Sequence, residues 1–213
     1  EKRVWFGYNK ADPSQSLSFG PNIKDWPRMK ALHDNLVLGV ASVIDDDVTT
    51  TDELIPSGES SSYRSNPYRL SRLTLSRRDP AYVGRADVIA ALAHKLCGEE
   101  YDAAVDISTA ERTMTAAVEA YEAKYGKLEG SLGVGSLVCA VRPGDGSARE
   151  QAASCQRVLG GSANIARDYA TKRYRSNLIN WGMLPLTCGE MNIGKNAGTA
   201  DDEIRCGQWV ILP

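Results

Sequence analysis

The chain has 213 residues, 42% of them apolar or aromatic, which suits one domain with a buried core better than two small ones. A formal net charge of -2 removes any bulk electrostatic case for nucleic acid or an anionic membrane, though a few local arginines could still hold a small anion. The longest apolar runs fall far short of the roughly 20 residues of a membrane span. The opening EKRVWFGYNK has no signal-peptide core, so a soluble, cytoplasmic chain is expected.

Residues 1–35 are rich in Pro, Gly, Asn, Ser and charge without periodicity, and read as a linker from a missing preceding domain. Residues 36–213 then form the domain proper. The run LVLGVASVI at 36–44 predicts a strand, and the polar stretch from DDDVTTTDEL to SYRSNP predicts a long functional loop. Helical spacing covers 86–97 and 108–125, the second opened by a capping box of Ser108 and Glu111. SLGVGSLVCAV at 131–141 is a buried strand, followed by a glycine loop and an alanine-rich helix. Residues 162–166 read as a short strand or a helix start, TKRYRSNLINWG as a helix ending at Gly182, and GQWVILP as a final strand. Alternating strands and helices imply an α/β fold.

The five cysteines are scattered, with no C-x-x-C pair, and are expected to be buried, reduced thiols and neither disulfides nor metal ligands. The two histidines, His33 and His94, read as surface or helix residues. At the glycine loop, RPGDGSARE, two explanations compete. Ser147 and Glu150 have capping-box spacing, so the serine could simply start a helix. Alternatively the helix N-terminus, with the planar fork of Arg149 beside it, could hold a carboxylate or phosphate. The glycines match neither a P-loop nor a dinucleotide fingerprint.

Four ordered stretches carry a resemblance: GPNIK, TTTDELIPSGESSSYRSN, GDGSAREQAASCQRVLGG and NLINWGMLPLT. Together they resemble the C-terminal swivel domain of the aconitase superfamily, over residues 20–85 and 133–213, whereas 86–132 follows no pattern of that family. The resemblance implies a swivelling β/β/α domain of the aconitase C-terminal type. It further implies that Ser147 is the base that moves the proton on the carbon next to a substrate carboxylate, that Arg149 helps hold a carboxylate and the oxyanion, and that Arg64 grips a second carboxylate. Ala148 replaces the second loop serine, which removes a hydroxyl from the substrate-binding set and leaves a backbone N–H. Glu53 and Gln151 stand where the family often has histidine, a change that would reshape either the cleft or, as the preferred reading, only the packing.

The activity so implied is dehydration and rehydration of a di- or tricarboxylic hydroxy acid at a [4Fe-4S] cluster. That cluster is expected on other domains of the same polypeptide or on a large subunit, with none bound by this chain, which alone would be inactive. The small subunit of an isopropylmalate dehydratase is the alternative within the superfamily. A non-catalytic module binding a carboxylate or RNA is the alternative outside it, the latter through Lys172, Arg173, Tyr174 and Arg175.

Overall fold

The computed structural model describes residues 7–16, 18–101, 104–189 and 204–213. The first apolar run forms β1 (Asn35–Ile44), and nearly all of its residues are buried because both faces of the strand are covered. After β1 come a two-residue strand, β2 (Thr49–Thr50), and three short helices, α1 (Thr51–Leu54), α2 (Ser57–Ser60) and α3 (Pro67–Ser71), with a single 3-10 turn at Ser61–Tyr63. Two long helices follow, α4 (Tyr82–Leu96) and α5 (Ser108–Tyr125). The remaining elements are β3 (Leu132–Ala140), β4 (Pro143–Asp145), α6 (Arg149–Val158), β5 (Gly161–Ala166), α7 (Lys172–Asn180), β6 (Leu184–Thr187) and β7 (Trp209–Leu212).

Five strands make one mixed sheet in the order β6-β5-β3-β1-β7, with β2 and β4 as a separate parallel pair. The four strands β1, β3, β5 and β6 are parallel, and β7 runs antiparallel along β1. Each crossover steps the same way across the sheet, so right-handed connections put the helices on one face. That face is buried by Val83, Ala86 and Ile89 of α4, Ala152, Ala153 and Cys155 of α6, and Tyr174 and Leu178 of α7. The opposite face gathers Leu36, Leu38, Val40, Leu137, Cys139 and Ala163. Each fully buried leucine contributes about 1.5–3 kcal/mol of transfer free energy. No described helix is long and apolar enough to cross a membrane.

Two expectations are corrected. The polar stretch after β1 is no open loop: Thr50 and Glu53 form a reciprocal capping box on α1, Asp52 accepts the Ser57 N–H at 2.9 Å, and Asn66 caps α3 with Pro67 in its first turn. Helices of four or five residues leave no 3.6-residue periodicity to read. The second correction concerns α5, whose N-cap is Ile107 and not Ser108. Asp106 accepts the Ser108 N–H at 2.9 Å, and Glu111 pairs with Lys95 at 2.7 Å, so neither member of the expected box is engaged as one.

Candidate functional site

The pairing of β2 with β4, Thr49 opposite Pro143 and Thr50 opposite Asp145, brings residues 49–54 against the glycine loop at the C-terminal end of the parallel strands. Loops at that end of an α/β sheet are the common place for a ligand. The loop itself depends on two glycines. Gly144 has φ +96°, and a Cβ there would lie 2.3 Å from the Tyr174 ring; Gly146 has φ +123°, and its Cβ would lie 2.3 Å from Thr51 Oγ1. Both positions combine a backbone that L side chains avoid with a neighbour too close for a methyl group.

Ser147 follows this turn and is exposed, with no hydrogen-bond partner among the described residues. It does not cap α6. The N-cap is Ala148, no side chain caps the helix, and Ser147 lies one residue too early to do so. The capping-box reading of Ser147 and Glu150 is therefore overturned. The reason is tertiary: the Ala148 N–H donates to Thr51 Oγ1 at 3.3 Å, and this contact fixes where the chain enters the helix. The same bond means that the Ala148 backbone N–H is already engaged.

Arg149 is half-buried in the first residue of α6. Its Nε donates to Thr171 Oγ1 at 3.2 Å, and its two terminal nitrogens have no partner among the described residues. The guanidinium is thus held at its inner edge while its outer edge is open. Thr171 also donates to the Gly144 carbonyl at 3.0 Å and, as N-cap of α7, accepts the Tyr174 N–H at 3.2 Å.

Arg64 lies between the 3-10 turn and α3, exposed and without a polar partner among the described residues. Its segment is tethered on both sides. Arg77 pairs with Asp52 at 2.9 Å and Glu59 at 3.0 Å, and α3 packs on α6. The Ser57 N–H and hydroxyl, with Arg77 behind them, hold the Asp52 carboxyl below its usual range. No bond joins Arg64 to the Ser147 loop, so the structure links Ser147, Ala148 and Arg149 to residues 49–54 directly and to Arg64 only through the intervening chain. Glu53 is used in its capping box, where its carboxylate accepts the Thr50 N–H at 2.6 Å. Gln151 is half-buried in the first turn of α6.

Thr51 and Thr171 are the residues that sequence reasoning missed. Thr171, immediately before a helical run, carries an N-cap signal; Thr51 lies within the stretch TTTDELIPSGESSSYRSN, but nothing in the local sequence marks its contact with the glycine loop. The basic-aromatic cluster is also revised: Lys172, Arg173 and Arg175 are exposed, but Tyr174 is fully buried, its hydroxyl accepting from Gln156 at 2.9 Å and Asn164 at 3.0 Å. A base cannot stack on that ring.

The cysteine expectation holds for Cys139 and Cys155, which are buried, with thiols pushed up to about 12 mainly by burial; Cys97, Cys188 and Cys206 are exposed. Two such reluctant thiols are poor ligands for an iron–sulfur cluster, and among the described residues no three His, Cys, Asp or Glu side chains gather as a metal site. His94 lies on α4, 3.4 Å from Glu99 and with its ring tilted 55° against that of Tyr101, while His33 is half-buried beside Gly133.

A cavity of about 610 Å³ is at the other end of the sheet, lined by Leu36, Leu132, Gly160 and the segment 27–33. Its charged groups are largely committed to each other: Asp87 accepts from Arg72 at 2.7 Å and from Tyr101 at 2.9 Å, and Lys30 pairs with Glu99 at 2.6 Å. At the glycine loop, by contrast, Asp145, Gly146 and Ser147 are exposed.

A family model for the aconitase C-terminal domain matches residues 98–191. The match takes in the glycine loop, Arg149 and Thr171, and begins within the stretch that the sequence motifs left unassigned; Arg64 lies before it. None of the curated proteins matches the chain.

Proposed function

Residues 98–191 belong to the aconitase C-terminal domain family, and from that premise we propose that the chain is the swivel domain of an aconitase-like hydro-lyase acting on a di- or tricarboxylic hydroxy acid. The observation that carries this reading is the pairing of two uncommitted groups on adjacent elements of one turn. Ser147 has a free hydroxyl, and Arg149 has an anchored inner edge with an open outer fork. A bidentate fork recognises a carboxylate, and a serine beside it reaches the carbon next to that carboxylate.

In this reading Ser147 Oγ, as the alkoxide, takes the proton from the carbon next to the bound carboxylate and returns it in the reverse direction. An alkoxide needs compensation at neutral pH. The uncapped first turn of α6 and the Arg149 guanidinium supply it, because partial positive charge at a helix N-terminus and a fixed cation both favour an anion there. Arg64 would grip a remote carboxylate once the substrate bridges to its segment. The [4Fe-4S] cluster implied by the sequence resemblance would belong to other domains or a large subunit.

The test is steady-state kinetics of Ser147→Ala in the assembled enzyme. The expected result is a fall in kcat of about 10²–10⁴-fold with little change in KM, as for loss of a group that acts in proton transfer. Wild-type turnover would remove Ser147 from the chemistry.

A further inference from the structure

We infer that Thr171 is the positioning residue that aims Arg149, an inference that rests on the carboxylate-binding role proposed for that arginine. An arginine side chain on a helix has four rotatable bonds, and holding it in one pose costs entropy that must be offset by fixed contacts. Here a single hydroxyl does so. Thr171 Oγ1 accepts from Arg149 Nε, accepts from the Tyr174 N–H and donates to the Gly144 carbonyl, which uses its full capacity of one donor and two lone pairs.

The geometry has a specific effect on the fork. A guanidinium offers five N–H groups in one plane, and a bond at Nε consumes only the inner one. The four on the terminal nitrogens stay open, and the plane is fixed by the bond behind them. Because Gly144 is on the same hydroxyl, the arginine is locked to the turn that carries Ser147, not merely to α7. The two proposed substrate contacts thus share one reference point, and Gly144 approaches so closely to Tyr174 that the turn has little room to shift. Thr171 touches no substrate in this arrangement; it acts through Arg149.

Two measurements separate this role from that of a helix cap. In the chain described here, the Arg149 Nε–H signal in a ¹⁵N-¹H spectrum should be protected from exchange with water, should stay so in Thr171→Ser, and should lose protection in Thr171→Ala. Equal protection in Thr171→Ala and wild type, or none in wild type, would overturn the inference. In the assembled enzyme, binding of tricarballylate, a tricarboxylate without the reacting hydroxyl, should weaken about tenfold in Thr171→Ala and by less than about twofold in Thr171→Ser. In an Arg149→Ala background, Thr171→Ala should add nothing. The same loss in both backgrounds would mark Thr171 as a helix cap alone and overturn its action through Arg149. If wild-type enzyme binds no tricarboxylate, the substrate reading fails, and the exchange measurement by itself decides whether Thr171 holds Arg149.

Discussion

Ser147 stands one position before the N-cap of α6, and this offset separates stability from chemistry. A capping serine replaced by alanine costs about 1 kcal/mol. With no bond to lose, Ser147→Ala should leave the thermal midpoint of the chain unchanged in a melting experiment, while the assembled enzyme loses turnover. The two arginines differ in a comparable way. The Arg64 side chain is exposed and has no polar partner among the described residues, so Arg64→Lys should raise KM and spare kcat, replacing a planar fork with a point charge. Arg149 is fixed at Nε beside the serine, so Arg149→Lys should lower kcat as well. Steady-state kinetics of both variants checks this, and identical profiles would contradict the division of roles.

At the scale of the element, the glycine loop is held by contacts from segments far away in sequence. Gly146→Ala would need a residue with Cβ at φ +123° and would drive that Cβ into Thr51 Oγ1, so the variant should lose about 1–3 kcal/mol of stability by denaturant unfolding. If it unfolds like wild type, the close approach of Thr51 to the loop is wrong. This also explains what could be read from the sequence. The pattern S-x-x-E occurs at Ser108 and Ser147 and signals a helix start in both places, yet neither serine caps. Helix existence is a local property; the cap depends on the angle at which the chain enters. At Ala148 that angle is set by Thr51, 97 residues earlier. The box that does form, Thr50 with Glu53, lay in a stretch read as loop because α1 is only four residues long.

For the whole molecule, the alternation of apolar runs and helical spacing made β1, α4, α5, β3, α6 and α7 legible, since each is long enough to show its period. The motifs also pointed to the glycine loop. What could not be read was which segments meet: that β2 lies against β4, that Thr171 reaches Arg149, or that Tyr174 turns inward from a basic run. Burial divides the thiols in a way that composition does not. Cys97, Cys188 and Cys206 should react with a thiol reagent in the native chain at pH 8, and Cys139 and Cys155, with thiols pushed up to about 12, only after unfolding. Counting the fast and slow equivalents tests the placement of all five.

The antiparallel bonding of β7 to β1 has a consequence for biosynthesis. Of the strands of this sheet β1 is the first to be synthesised, but one of its edges is satisfied, among the described residues, by residues 207–212, through pairs such as Leu36 with Leu212 and Gly39 with Trp209. Its other edge is claimed earlier, by β3. During translation the nascent domain therefore carries an apolar strand with one row of backbone groups open, the kind of edge that recruits a strand from another chain. Completion of the sheet is deferred to the moment β7 emerges, and chaperone demand should be greatest in the interval between the synthesis of β3 and that of β7.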